Sequence, residues 1–306
     1  MHKSAPQVRS VKEEISLSGD LHCHTRLSNG SLGIDDIIAL AKANSVEVLA
    51  ITDHDCLAGN VRAKIIGDRN DIKIIPGVEL SATDEESDET VYILCYLADF
   101  PDRLEGLCQK NNLARKRASQ YMMIKAAQRY PVSAELIKKC AAGSTNLYPE
   151  HIMHALMDCG LADKIHGEVW DRLFSEDSVN NIYVKPRFAS LTEVIEGIHA
   201  AGGVAVLATP LAYKDETLLP RLMEMGIDGI EVWHPDASEE DSKKLYAFAK
   251  KNHLLMTGGT GFCGMYNKNN VTIGAVSTPK TQVSELMSYK SKLKRLAKKQ
   301  AMAAQE

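Results

Sequence analysis

The sequence predicts an α/β fold in which a parallel sheet closes into a barrel or near-barrel. Short apolar segments alternate with segments of helical spacing along most of the chain, which is typical of repeated strand–helix units. Histidine and carboxylate clusters follow several of the apolar segments. In parallel barrels the chemistry lies on the loops that follow the strands, so the positions of these clusters agree with the predicted fold.

The first third of the chain supplies four predicted strands. Between the first and second of these strands, apolar residues recur from Ile34 at the spacing of one helix face. Asp35 and Asp36 in the first turn of this predicted helix suit the helix dipole. A short helix is also expected at 61–66. The predicted strands are 15–21, 46–52, 72–75, which ends in Pro76-Gly77-Val78-Glu79, and 91–96.

The pattern then becomes helical and later alternates again. No strand-like segment occurs at 102–177, where helices are predicted at 103–130, 134–140 and 151–158. Gly202-Gly203 suits a helix C-cap when the alternation resumes. The later predicted helices are 192–201, 218–225 and 239–252, and the later strands are 204–208, 229–233 and 254–257.

These patterns divide the chain into four predicted parts. A polar leader is expected at 1–14, and a barrel domain at 15–101 and 184–280. An all-helical insertion domain is expected at 102–183. The last part, 281–306, is a basic helix, interpreted as a solvated terminal helix or, alternatively, as a nucleic-acid-binding tail.

Composition excludes some classes of function. The chain has 306 residues and a net charge of −4, which argues against a scaffold that binds nucleic acid by bulk charge but leaves a local basic pocket possible. Seven scattered cysteines without a Cys-x-x-Cys pair indicate reduced thiols. No apolar segment reaches the ~20 residues of a membrane span, and the N-terminus lacks a signal-peptide core. A cytoplasmic protein without a membrane partner is expected.

Histidines near strand ends predict a metal site. His22 and His24 are two residues apart, so an extended segment projects both to the same side. His54 follows the next strand and has Asp53 and Asp55 on either side. Imidazole and carboxylate groups gathered in this way are suitable ligands for a divalent metal.

These segments resemble the signature motifs of the PHP superfamily (polymerase and histidinol phosphatase). The similarity rests on Asp-Leu-His22-Cys-His24-Thr, Ile-Thr-Asp53-His54-Asp55 and Pro-Gly-Val-Glu79. It extends to Ala-Gly-Gly-Val-Ala-Val-Leu-Ala before Pro210, Ile230-Glu231-Val232 before His234-Pro235, and Thr257-Gly258-Gly259-Thr260. The branch it resembles contains nucleotide phosphoesterases and 5′-to-3′ exonucleases with a helical insertion. The resemblance implies a distorted (β/α)7-type PHP barrel and hydrolysis of a phosphate ester by about three divalent metals, commonly manganese, iron or zinc.

The resemblance also implies roles for individual residues. It gives His22, His24, His54 and Glu79 as metal ligands, with Glu79 bridging two metals. Asp53 would be a ligand or would orient His54, and these two residues are the candidate catalytic pair. The candidate substrate-binding residues are Arg115, His151 and His234, of which Arg115 is alternatively part of a solvated helix face.

Five positions depart from the family pattern. The family has an aspartate, two histidines, an aspartate and a histidine where this chain has Asn29, Tyr92, Thr209, Gly261 and Cys263. Fewer than three metals (manganese, zinc or iron) are therefore expected. Tyr92 is interpreted as filling the pocket or as a catalytic phenol, and Cys263 as an inert side chain or a thiolate ligand.

Two functions follow from these observations. The first is a metal-dependent phosphoesterase with a reduced metal site, acting on a small phosphorylated substrate such as a nucleotide or an oligonucleotide end. The alternative is a catalytically impaired PHP pseudoenzyme that binds a nucleotide, a phosphate or a protein partner.

Overall fold

Eight strands form one sheet in the computed structural model, which describes residues 18–175 and 177–303. The predicted leader at 1–14 lies outside the described residues. The strands are β1 (Gly19–Cys23), β2 (Val48–Ile51), β3 (Lys73–Thr83), β4 (Thr90–Tyr96), β5 (Ala189–Ser190), β6 (Val204–Leu207), β7 (Gly229–Trp233) and β8 (Leu255–Gly258).

The sheet curves into a nearly closed barrel. Its strand order is β1-β2-β3-β4-β6-β7-β8, and the short β5 pairs with β3. The two ends of this order meet just after β8, where the backbone N–H of His24 donates to the carbonyl oxygen of Phe262 at 2.8 Å. Thr260 closes the same seam, because its backbone N–H and hydroxyl both donate to the carboxylate of Asp20. The predicted α/β barrel is confirmed.

The prediction that the sheet is parallel is wrong for β4. This strand runs antiparallel to both of its neighbours, β3 and β6. Only residues 84–89 connect β3 to β4, and the backbone N–H of Asp84 donates to the carbonyl oxygen of Glu89 across this turn. A parallel pair needs a crossover of about a dozen residues or more, so a connection this short requires a hairpin.

Strand β3 is longer than predicted. The prediction ended it at Ile75, because Pro76-Gly77 has the composition of a turn. Instead the strand changes partner there: Pro76 pairs with Ile51 of β2, and Gly77 pairs with Tyr96 of β4. Glu79 therefore lies inside a strand, and its position is fixed by the pairing of the sheet.

Ten helices accompany the sheet in the described part of the chain. The predicted helices are confirmed within a few residues at their ends, and α6 is an addition to them. Their bounds are α1 (Ile34–Ala43), α2 (Asn60–Arg69), α3 (Glu105–Arg129), α4 (Ala134–Cys140), α5 (Pro149–Asp158), α6 (Glu168–Phe174), α7 (Leu191–Ala200), α8 (Leu218–Glu224), α9 (Glu239–Lys251) and α10 (Lys280–Ala303). The last three residues of the helix predicted at 281–306 lie outside the described residues.

Helices α3 to α6 share an apolar cluster of their own, which contains Met122, Ile152 and Leu156. Tyr266, from the segment after β8, is buried in the same cluster and so connects these helices to the barrel. The division of the chain into a barrel domain and an insertion domain stays a prediction. Among the described helices, none has the length and apolar character needed to cross a membrane.

Candidate metal centre

His22 and His24 face each other inside the mouth of the barrel. His22 lies in β1 and His24 follows that strand directly, and each residue is 3% exposed. Their Nε2 atoms lie 3.2 Å apart. The spacing of two residues in an extended segment therefore places both imidazoles on one side, as the sequence predicts.

The carboxylate of Glu79 contacts three histidines. Its Oε1 lies 3.4 Å from Nε2 of His22, and its Oε2 lies 3.4 Å from Nε2 of His24. Oε2 is also 2.9 Å from Nδ1 of His54, whose ring stacks on that of His24. The structure thus brings together all four residues that the resemblance gives as metal ligands, from the ends of β1 and β2 and the middle of β3.

Several polar atoms in this cluster have no hydrogen-bond partner among the described residues. Nδ1 of His54 and Oε2 of Glu79 are only 2.9 Å apart, yet they lack hydrogen-bond geometry, and each is buried without another partner. Buried polar atoms almost always have a partner, so this pattern indicates atoms that a bound cation would satisfy. A nitrogen and oxygen donor set of this kind fits a divalent transition metal.

The charges in the cluster are balanced between histidine and carboxylate. Burial opposes ionisation of Glu79, but His54 and His22 outweigh it and hold the pKa of Glu79 well below its usual range. Burial also opposes protonation of His22, whereas the carboxylates of Glu231 and Glu79 raise its pKa well above the ordinary value. For His24, burial and then the neighbouring His54 lower the pKa, which keeps this imidazole neutral and available as a ligand.

Glu231 orients His22, a role that the motif analysis did not assign. Its Oε1 lies 3.0 Å from Nδ1 of His22, and its Oε2 accepts the backbone N–H of Thr209 at 2.9 Å. A carboxylate next to Nδ1 holds the proton on that nitrogen and leaves Nε2 as the atom that binds a metal, the arrangement found around metal-bound histidines. The signal in the sequence was a single carboxylate within an otherwise apolar strand.

Asp53 holds the loop after β1. It is buried, and its carboxylate accepts hydrogen bonds from the backbone N–H and hydroxyl of Thr25 and from the hydroxyl of Ser28, at 2.6–2.7 Å. Burial raises its pKa, and these donors oppose the rise. The contacts favour a positioning role, and the assignment of Asp53 and His54 as a catalytic pair stays a prediction.

Arg115 is buried next to the cluster and is already paired. Its Nη2 donates to Oδ2 of Asp55 at 3.0 Å and to the hydroxyl of Ser81 at 2.6 Å. Its guanidinium lies between the rings of Tyr148 and Phe188, 4.9 and 4.8 Å from their centroids. Its Nε has no partner in the described structure. A role in substrate binding stays a prediction for this residue.

His151 is 1% exposed and caps helix α5. Its Nδ1 accepts the backbone N–H of Tyr148 at 3.1 Å, and burial lowers its pKa to about 4. A neutral imidazole with one nitrogen occupied in this way is a structural element of the helix. Its predicted contact with substrate is not tested by these contacts.

His234 lies at the mouth of the barrel, beside His22, and their ring centroids are 6.2 Å apart. A ligand atom from each of His22, Glu231 and His234 lies within 4.8 Å of the others. A Cβ atom built on Gly261, whose φ is +57°, would lie 2.9 Å from Nε2 of His234. The His234 ring therefore occupies the space that a side chain at position 261 would need.

Known proteins resemble this chain over most of its length. The PHP domain profile matches residues 20–169. A 3′,5′-nucleoside bisphosphate phosphatase from Chromobacterium violaceum is 30% identical over 260 residues, which cover 79% of this chain and 86% of that protein. The chain belongs to the PHP family.

Other PHP relatives are similar over most of their length. A phosphoribosyl 1,2-cyclic phosphate 1,2-diphosphodiesterase from Eggerthella lenta is 29% identical over 251 residues, covering 81% of this chain and 95% of that protein. The crystal structure of a protein described as a metal-dependent phosphoesterase from Bifidobacterium adolescentis superposes with a TM-score of 0.79 at 26% identity. That match covers 88% of this chain and 94% of the other.

The five departures from the PHP pattern lie around the same mouth. Cys263 is hydrogen-bonded to Asn29, and its thiol also donates to the carbonyl oxygen of Gly261. Burial, and then Glu150, raise the pKa of this thiol well above its usual range, so without a metal it stays protonated. The ring of Tyr92 lies 5.1 Å from that of His54, and burial raises the pKa of its phenol. Both interpretations of Tyr92, a side chain that fills the pocket and a catalytic phenol, stay predictions.

Proposed function

We propose that this PHP protein is a metal-dependent phosphoesterase that acts on a small phosphorylated substrate of the nucleotide class, including an oligonucleotide end. One observation carries the proposal: His22, His24, His54 and Glu79 converge in a buried cluster, and Nδ1 of His24, Nδ1 of His54 and Oε2 of Glu79 have no hydrogen-bond partner among the described residues. The two named relatives are a nucleoside bisphosphate phosphatase and a phosphoribosyl cyclic phosphate diphosphodiesterase, which supports the substrate class.

The four side chains would hold a divalent metal, which neutralises phosphoryl charge and lowers the pKa of water when bound. Glu231 keeps the proton of His22 on Nδ1, so that Nε2 faces the cluster. Asp53 fixes the loop that carries Thr25 and Ser28. Arg115 supplies a buried positive charge next to His24, whose pKa it helps to lower.

Glu79 supports a site with at most two metals. Its two oxygens face different histidines, Oε1 towards His22 and Oε2 towards His24 and His54, as a bridging carboxylate would. The side chains at 92 and 209 are a phenol and a hydroxyl, which are poorer ligands than the imidazoles of the family pattern. The number and kind of metal belong to the proposal.

We further infer that His234 replaces the carboxylate missing at Gly261. His234→Ala should weaken metal binding by about tenfold to hundredfold, the usual cost of losing a ligand or its direct support. Gly261→Asp alone should also weaken it, because the new Cβ meets Nε2 of His234 at 2.9 Å. The double variant His234→Ala/Gly261→Asp should bind metal better than His234→Ala, because it places a carboxylate in the space that the His234 ring occupied. Aspartate also tolerates a positive φ better than most residues.

Competition with a chromogenic chelator measures these affinities. Unchanged affinity in His234→Ala would show that His234 is not a ligand. A double variant that is weaker than both single variants would show that the two positions do not substitute for each other.

The function is tested by adding manganese or zinc to the purified protein and assaying hydrolysis of three substrates. The expected products are inorganic phosphate from nucleoside 3′,5′-bisphosphates, the ring-opened monophosphate from cyclic ribose phosphates and nucleoside monophosphates from 5′-phosphorylated oligonucleotides. We expect turnover that a chelator removes and that is lost in His22→Ala. If the folded, metal-loaded protein hydrolyses none of these substrates but still binds a nucleotide after chelation, the protein is a binding module and the proposal is wrong.

A further inference from the structure

A second group of metal-binding side chains lies outside the barrel mouth, between helices α4 and α5. Cys140 is the last residue of α4, and His154 and Asp158 are one turn apart on α5. The Sγ of Cys140 lies 3.9 Å from Oδ2 of Asp158, and Nε2 of His154 lies 3.8 Å from Oδ1 of Asp158. One ligand atom from each residue lies within 4.8 Å of the other two.

These distances are close to those of a tetrahedral zinc site. Zinc–sulfur, zinc–nitrogen and zinc–oxygen bonds of about 2.3, 2.1 and 2.1 Å place neighbouring ligand atoms about 3.4–3.6 Å apart in a tetrahedron. The two separations from Asp158, which involve its two different oxygens, exceed this by a few tenths of an ångström, and the separation between Cys140 and His154 is at most 4.8 Å. All three side chains are at least partly exposed, so small rotations of Cys140 and Asp158 close the difference without disturbing the core.

The imidazole of His154 is held in a suitable orientation. Its Nδ1 lies 2.8 Å from the hydroxyl of Tyr266, which is 5% exposed. Tyr266 is itself fixed, because its carbonyl oxygen accepts a hydrogen bond from Nε2 of His166 at 2.9 Å. With the proton of His154 on Nδ1 and donated to Tyr266, the lone pair of Nε2 faces Asp158, as in the supported histidines of zinc sites.

The same three residue types also make up nucleophilic triads, but this arrangement does not fit one. In a triad the imidazole stands between the thiol and the carboxylate. Here the carboxylate of Asp158 stands between the other two groups, and Nδ1 of His154 is taken by Tyr266. Burial, together with Asp158, raises the pKa of the Cys140 thiol to about 11, which is the opposite of activation.

We propose that Cys140, His154 and Asp158 bind a zinc-class divalent cation, separate from the barrel-mouth centre, with one coordination position open. A cavity of about 290 Å³ beside the three residues leaves room for the fourth ligand. Arg26 and Lys139 line the same cavity, and their charges suit a water or an anion in that position. The bound cation would tie α4 to α5 and, through Tyr266, to the segment after β8.

Cobalt tests this proposal, because thiolate coordination produces a sulfur-to-cobalt charge-transfer absorption that oxygen and nitrogen ligands do not. The probe is cobalt(II) chloride titrated into the metal-free full-length protein. We expect the band in the unmodified protein and its loss in Cys140→Ser. His154→Ala and the isosteric Asp158→Asn, whose side chain is half exposed, should weaken cobalt binding at this site by about tenfold to hundredfold.

Two cysteines provide matched controls. Cys159 is exposed and adjacent to Asp158, and Cys263 lies at the barrel mouth, so serine at either position should leave the band in place. His22→Ala should leave it too, which separates this site from the proposed catalytic centre. The absence of a band in the unmodified protein, or its loss in Cys263→Ser but not in Cys140→Ser, would overturn the proposal.

Discussion

Replacing Glu79 with glutamine should lower the affinity for a divalent metal by about hundredfold or more and remove phosphoester turnover with it. Glutamine has nearly the same shape but no charge, and it presents only one oxygen. Both oxygens of Glu79 face nitrogens of three histidines, at distances of 2.9–3.4 Å. The substitution also removes one of the two carboxylates that raise the pKa of His22 and leaves only Glu231.

Metal-dependent stabilisation provides a second measurement of this effect. A metal that binds the folded state raises the melting temperature, so added manganese or zinc should stabilise the unmodified protein and not Glu79→Gln. Glu47→Gln is the control, because Glu47 lies before β2, at the opposite end of that strand from His54. An equal rise in melting temperature for both variants would contradict a central role for Glu79.

Replacing Arg115 with methionine should destabilise the protein by about 3–5 kcal/mol. Methionine keeps most of the apolar contact with Tyr148 and Phe188 but leaves the carboxylate of Asp55 without its cation. The side chain of Asp55 is fully buried and that of Arg115 is 9% exposed, so solvent does not replace the lost partner. Loss of one partner from a buried ion pair is expensive, whereas loss of both often costs little.

Denaturant unfolding measures this prediction, and a double variant sharpens it. Arg115→Met with Asp55→Asn should lose less stability than Arg115→Met alone, because the unpaired charge is gone. Lys116→Met, at the exposed neighbouring position, should change the free energy of unfolding by less than about 0.5 kcal/mol. If Arg115→Met costs no more than Lys116→Met, the buried pair does not stabilise the fold.

The sequence was sufficient to predict the parts of the site that depend on local rules. His22 and His24 share a side because of the period of an extended strand, and His54 follows the next strand of a parallel pair. Glu79 was expected in a loop, but the structure places it within β3. The reason is that Pro76-Gly77 has the composition of a turn, although in the structure the strand continues through it and changes partner there.

Other parts of the site depend on contacts between distant segments. Glu231 lies 209 residues from His22, and no local pattern connects a carboxylate in β7 with an imidazole in β1. The proximity of His234 to Gly261 likewise depends on how the loops after β7 and β8 meet. The reversal of β4 was not readable from the predicted strands, because the six-residue connection that excludes a parallel crossover exists only once β3 extends to Thr83.

The seam between β1 and the segment after β8 has a consequence for the order in which the protein assembles. His22, His24, His54 and Glu79 all lie within the first 79 residues. Glu231, which orients His22, and Thr260, which closes the seam on Asp20, lie 209 and 240 positions further along the chain than the residues they contact. Contacts of such long range carry a large loop-closure entropy and form late in folding. The growing chain therefore contains all four proposed ligands long before the barrel closes, but His22 takes its final orientation only with the last strands.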